Sequence, residues 1–170
     1  MPEIVRPLVH PEAAFTETLP QPREPQRQVL PVRHWLSLAA AFADIGGLVS
    51  DDELADLIRA QCTDDSQPLV SQPISLVARW IVAQRVLTVE SPWGRMLPLF
   101  QFDLPRAAVH PGMRLLLAEL RGVLDDVELA LWFVTPNEWL GGARPALAMQ
   151  TMLPAVRDAA RADRFVALGG

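Results

Sequence analysis

The residues able to do covalent or metal chemistry are few in this 170-residue chain, and they stand far apart. Nucleophilic catalysis needs a nucleophile, a base and a group that orients the base, and metal catalysis needs clustered His, Cys or carboxylate ligands. His10, His34 and His110 are scattered, Cys62 is the single cysteine, and neither constellation is legible. His10 falls in a proline-rich stretch, His34 begins a helical pattern and His110 precedes Pro111 at another helix start. Each reads as a solvated or capping residue rather than a ligand. Glu138 is the most suggestive carboxylate, and a capping role already accounts for it. Gly46-Gly47 and Gly141-Gly142 follow helical runs instead of opening them after a strand, so they do not form a phosphate loop. The expectation is a protein that is no enzyme and holds neither metal nor cofactor, which leaves recognition as its chemistry.

The run Leu131 to Pro145 is the most informative part of the chain, because three helix boundaries are packed into it. Thr135 can accept from the backbone N–H of Glu138 while Glu138 reaches back, a capping box, with Pro136 at the first helical position where its missing N–H costs nothing. Trp139 and Leu140 give the short helix so begun an apolar face. Gly141 and Gly142 can take the positive φ that ends it, and Pro145 opens the next helix after an extended Arg144. The expected product is a rigid, sharply cornered helical platform.

Other elements must position that platform. Residues 1–31 carry seven of the sixteen prolines between polar and charged residues with no apolar period, which predicts an extended arm, draped over the domain or a second copy, or a mobile tail. Trp35, Leu38, Phe42 and Ile45 recur at helical spacing until Gly46-Gly47. Ser50 and Glu53 form a second capping box before Leu54, Leu57 and Ile58, and after a polar loop Leu76, Val77, Trp80 and Ile81 predict a third helix packed on the second. Val86 to Phe102 alternates around Ser91-Pro92-Trp93-Gly94, which predicts a β-hairpin with Pro98 at a sheet edge. Helices resume at Pro111 and at Asp125, where Glu128 repeats the cap logic, and two more run over about 144–152 and 154–164. The fold class expected is mainly α. It comprises a helix-turn-helix-like region with the short hairpin over 32–104 and a helical subdomain over 105–170.

The order Trp132-Phe133, Pro136-Asn137, Leu140, Gly142, Pro145 resembles the signature of the toxin-binding domain of Xre/MbcA/ParS-type antitoxins. Upstream, Ser75-Leu76-Val77-Ala78-Arg79-Trp80 is similar to a segment in the second helix of some members' helix-turn-helix, and Pro98-Leu99-Phe100-Gln101-Phe102 resembles a hairpin in a subgroup, so the likeness covers about residues 50–168. It implies an antitoxin whose C-terminal end covers the active-site cleft of a cognate toxin, usually a RES-domain enzyme that degrades NAD. Carried onto this chain, the interface falls on Trp139, Leu140, Arg144, the helix from Pro154, and Arg164, Phe165, Val166 and Leu168 in the tail. The Phe165-Val166-Ala167-Leu168 run, placed beyond the last helix, is itself too apolar to sit comfortably in water. The alternative for it is a strand or coil folded back on its own core. The chain departs from the family pattern in its acidic connection, its hairpin and its proline-rich arm.

Composition bounds the alternatives. Half the residues are apolar, enough for a core, and the net charge of −5 with a pI near 5.1 argues against a dominant role on nucleic acid or anionic lipid. All fifteen basic residues are arginine, which fits a GC-rich coding bias. In a DNA reading the second helix of the pair would turn Gln72, Ser75, Arg79, Gln84 and Arg85 outward, with Arg79 and Arg85 meeting phosphates. The acidic start of the preceding helix (Asp51, Asp52, Glu53, Asp56), Asp64 and Asp65 in the connection, and a connection longer than a helix-turn-helix turn all count against it. A DNA-binding regulator and an orphan adaptor therefore stay as alternatives to the antitoxin, and the helix pair is a candidate packing or dimerisation surface, with a homodimer expected. Cys62, expected as a small buried hydrophobe, allows no internal disulfide. There is no signal-peptide pattern and no run near the ~20 apolar residues that span a bilayer, which together point to the cytoplasm.

Overall fold

A computed structural model describes residues 31–62 and 72–169, so the proline-rich arm and the polar connection around Asp64 and Asp65 lie outside the described residues. The protein is mainly helical. In chain order it forms α1 (Val32–Phe42), β1 (Leu48–Val49), α2 (Asp51–Gln61), α3 (Pro73–Val82), β2 (Val89–Ser91), β3 (Gly94–Pro98), β4 (Phe102–Asp103), β5 (Ala108–Val109), α4 (Pro111–Leu120), α5 (Asp126–Val134), α6 (Pro145–Ala148) and α7 (Leu153–Ala167).

The local chemistry explains most boundaries. After α1 a 3-10 turn, Ala43–Ile45, ends at Gly46, whose φ of 103° favours a residue without a Cβ; an added Cβ would also lie 3.1 Å from that of Leu99. The Ser50 hydroxyl accepts from the Glu53 N–H while the Glu53 carboxylate accepts from the Ser50 N–H, and Asp125 and Glu128 do the same for α5. His110 caps α4, its Nδ1 accepting from the Gly112 N–H at 3.1 Å, and burial holds its imidazole below its ordinary pKa against the pull of Asp103.

The hairpin differs from the sequence expectation in two respects. Its second strand stops at Pro98, where a 3-10 turn, Leu99–Gln101, takes over, and Pro98 ends the central strand of a β1-β3-β2 antiparallel sheet rather than lying on an edge. The reason is that neither neighbour needs the missing N–H. On the β1 side Pro98 pairs with Leu48 and the bond next to it runs from Leu99 N–H to Gly47 C=O at 3.0 Å. On the β2 side the Gln101 side-chain amide replaces the strand, accepting from Leu87 N–H at 2.8 Å and donating to Leu87 C=O at 3.0 Å.

Two apolar clusters carry the packing. The first joins Trp35, Leu38 and Phe42 of α1 to Leu87 and Val89 and to Met113, Leu116, Leu117, Leu120, Leu129, Phe133 and Val156 of α4, α5 and α7, so the first helix packs with the last ones. Its aromatic centre is Phe42, Phe100, Phe133 and Trp132, with adjacent ring centroids 5.1 to 6.2 Å apart. The second cluster unites Leu54 and Ile58 of α2 with Leu76, Val77 and Trp80 of α3, Leu97 of β3 and Ala107, and Trp80 stacks on Phe102 at 5.5 Å. Cys62 is half-buried against it rather than fully enclosed, because it is the C-cap of α2.

Candidate partner-binding corner

The corner forms, but not by the cap expected. Thr135 closes α5, its N–H donating to Leu131 C=O at 2.9 Å, and its exposed side chain starts no helix; the Thr135–Glu138 capping box does not form and Pro136 lies outside any helix. Asn137 does the capping instead, its Oδ1 accepting from Trp139 N–H at 3.0 Å to start a single 3-10 turn, Glu138–Leu140. The cause is the loop's own ladder: Asn137 N–H donates to Ala143 C=O at 3.1 Å and Gly142 N–H donates back to Asn137 C=O at 2.9 Å, which places the asparagine at the mouth of the turn. Gly141 (φ 63°) and Gly142 (φ 86°) take the expected left-handed conformation, and Pro145 opens α6 after an extended Arg144. Thr135→Ala should accordingly stay within about 0.5 kcal/mol of wild type in urea unfolding, whereas Asn137→Ala should cost about 1–2 kcal/mol. The reverse ranking would restore the capping box to Thr135.

The residue that holds the corner was not singled out from sequence. Asp163, on α7, accepts three side-chain hydrogen bonds: from Trp132 Nε1 at 2.7 Å and Asn137 Nδ2 at 2.8 Å, both to Oδ2, and from Trp139 Nε1 at 3.0 Å to Oδ1. Three donors from the motif thus converge on one carboxylate that links α5, the 3-10 turn and α7. A signal was present. Val156, Ala159, Ala160 and Asp163 follow one another at helical spacing, so a carboxylate stands on the stripe that α7 buries, and such a group needs partners.

Phe133 is core and Trp132 is half-buried beside it. Leu140 packs partly into the first cluster, whereas Trp139 presents its ring outward, 63% exposed. Arg144 forms a bidentate pair with Asp44 at 3.0 and 2.6 Å, tying the start of α6 to the turn after α1, and that hydrogen bonding holds the Asp44 carboxyl below its usual range. Arg164 lies with Arg157 and Arg161 around Glu119 of α4, at 3.2, 3.7 and 3.1 Å. Phe165 and Val166 are not beyond the last helix: α7 runs to Ala167, because nothing interrupts it before Gly169 at φ 80°, and Leu168 is its C-cap. All three side chains are about two-thirds exposed, since no residue of α7 after Ala160 is fully buried and the last turn projects past the core.

Arg79 and Arg85 are both exposed, at α3 and just past its end. The hairpin's Arg95 is 3.6 Å from both Asp51 and Glu90, so this arginine faces carboxylates. Among the described residues no group of His, Cys, Asp and Glu could hold a metal ion, and no helix is long and apolar enough to cross a membrane. No family model, curated protein or solved structure matches the chain.

Proposed function

We propose that this protein is an antitoxin-like binding protein of the cytoplasm, which docks a cognate protein toxin through the end of α7 and the adjoining corner. The toxin class in view is a RES-domain NAD-degrading enzyme. The observation that carries the reading is the projecting end of α7, where Phe165, Val166 and Leu168 stand exposed beyond the last core residue. Large apolar side chains cost free energy in water and give it back when a partner buries them, and about 1.5–3 kcal/mol is at stake for each one fully covered. Trp139 supplies a neighbouring aromatic surface whose indole is fixed by Asp163, so little side-chain freedom is lost on docking. The resemblance of the Trp132–Pro145 run to the toxin-binding signature supports the same partner class.

Alanine at Phe165, Val166 and Leu168 together tests the reading, because alanine preserves the helix while removing the surface. The triple variant should keep its circular dichroism and melt within about 1 kcal/mol of wild type, since these positions are exposed. It should fail to protect cells from a toxin encoded by the adjacent reading frame. Full protection would refute the docking role of α7, and co-purification of wild type with a protein of another kind would favour an adaptor.

A further inference from the structure

The chain carries a net charge of −5, yet one face gathers arginines with no carboxylate among them. An open cleft of about 700 Å³ between the end of α3 and the outer face of α4 is lined by Gln84, Arg85, Arg114, Leu117, Ala118 and Arg121. Arg114 and Arg121 stand seven residues apart, two helical turns, so both point from the same side of α4. Arg85 reaches in from the opposite wall. It is placed there by a tight C-terminal motif on α3: Gln84 takes a left-handed φ of 52° and Arg85 N–H donates to Trp80 C=O at 2.9 Å, which turns the chain abruptly toward α4.

The three guanidinium groups are matched by carbonyls at most. Arg121 donates to the Gln84 and Val86 C=O groups, the latter at 2.7 Å, and these two bonds leave three of its five N–H donors unused. Burial holds its pKa below the ordinary arginine value, with Asp126 the carboxylate that opposes this from a distance. Neither Arg85 nor Arg114 has an ion pair or side-chain hydrogen bond among the described residues, whereas Arg59, Arg95, Arg106, Arg144, Arg157, Arg161 and Arg164 each pair with an Asp or Glu. Three guanidinium groups lining one cleft suit a multiply charged anion, which would accept paired hydrogen bonds from the planar forks.

We infer that the cleft between α3 and α4 binds a phosphate-bearing ligand of nucleotide size, gripped by Arg85 and Arg114 and oriented by Arg121. The volume lies in the range of small-molecule sites, and Leu117 and Ala118 give it an apolar floor between the charged walls. A single carboxylate would leave most of the charge unmatched, whereas a di- or triphosphate brings enough oxygens for all three arginines. No residue lining this cleft belongs to the corner or to α7, and the site does not depend on the toxin reading.

Calorimetric titration of the full chain with inorganic triphosphate, and separately with ATP, tests the inference. One saturable site is expected, with ATP bound at least as tightly as triphosphate, and Arg85→Ala or Arg114→Ala should each weaken binding about tenfold, the loss expected for one charge-assisted contact. Both variants should retain the wild-type melting temperature, and Arg59→Ala, at an exposed arginine that pairs with Asp56 on α2, should leave affinity unchanged. Absence of saturable binding, exclusion of ATP, or equal affinity in the Arg85→Ala/Arg114→Ala double variant would overturn the site. So would a duplex oligonucleotide that binds more tightly than triphosphate and weakens as much on Arg79→Ala as on Arg114→Ala, because the phosphate would then belong to a nucleic-acid backbone.

Discussion

Replacing Asp163 by alanine should lower the stability of the protein by about 2–4 kcal/mol, the cost of leaving two half-buried donors without an acceptor. Trp132 Nε1 and Asn137 Nδ2 share its Oδ2 at 2.7 and 2.8 Å, and both belong to half-buried residues that water reaches poorly. Trp139 Nε1, 3.0 Å from Oδ1, is exposed enough to find water instead and adds little. The gain in helix propensity from alanine offsets only about 0.5 kcal/mol. The loss should spread locally, because Asn137 also caps the 3-10 turn and the Trp139 ring would lose its tether. Urea unfolding measures the first effect and a red shift of tryptophan emission in the folded state reports the second. Asp163→Asn, which keeps an acceptor but not the charge, should fall between alanine and wild type. Wild-type stability in the alanine variant would mean that the three bonds are replaceable by water and that the corner is held by packing alone.

A comparable loss is expected at Gln101, which is fully buried. Its amide satisfies both backbone groups of Leu87, at 2.8 and 3.0 Å, in the place where Pro98 cannot extend the sheet. Gln101→Leu keeps roughly the volume and adds apolar area, yet it strands one N–H and one C=O in the core. Each unpaired buried group costs about 1–3 kcal/mol, so a net loss of about 2–4 kcal/mol is expected after the added apolar area is counted. Amide hydrogen exchange at Leu87 should accelerate by a matching factor. Unchanged exchange and an unchanged urea midpoint would show that the amide is dispensable.

Local chemistry written in contiguous residues was legible without the fold. Ser50 with Glu53, Asp125 with Glu128, His110 before Pro111, and Gly46, Gly141 and Gly142 each act within one helical turn of themselves, and the mainly α class follows from the apolar stripes they bound. The same reasoning failed where two neighbouring residues competed for one task. Thr135 and Asn137 are both good caps, and only the return of Ala143 against Asn137 decides between them. It failed also at the end of α7, where the helix was expected to stop near residue 164 and leave Phe165 and Val166 in a tail, although no residue before Gly169 stops a helix.

What tertiary structure alone decided are the meetings across long stretches of chain. Asp163 reaches donors 24 to 31 residues away, Gln101 serves Leu87 14 residues back, Arg144 and Asp44 are 100 residues apart, and the Arg85, Arg114 and Arg121 cleft exists only because α3 ends beside α4. Helix caps and periodicity are set by hydrogen-bond geometry within one turn, which any sequence window contains. Which side chains then face one another depends on how the amphipathic stripes pack, and that is fixed by the burial of the whole chain at once, since each stripe admits several partners until all of them are covered.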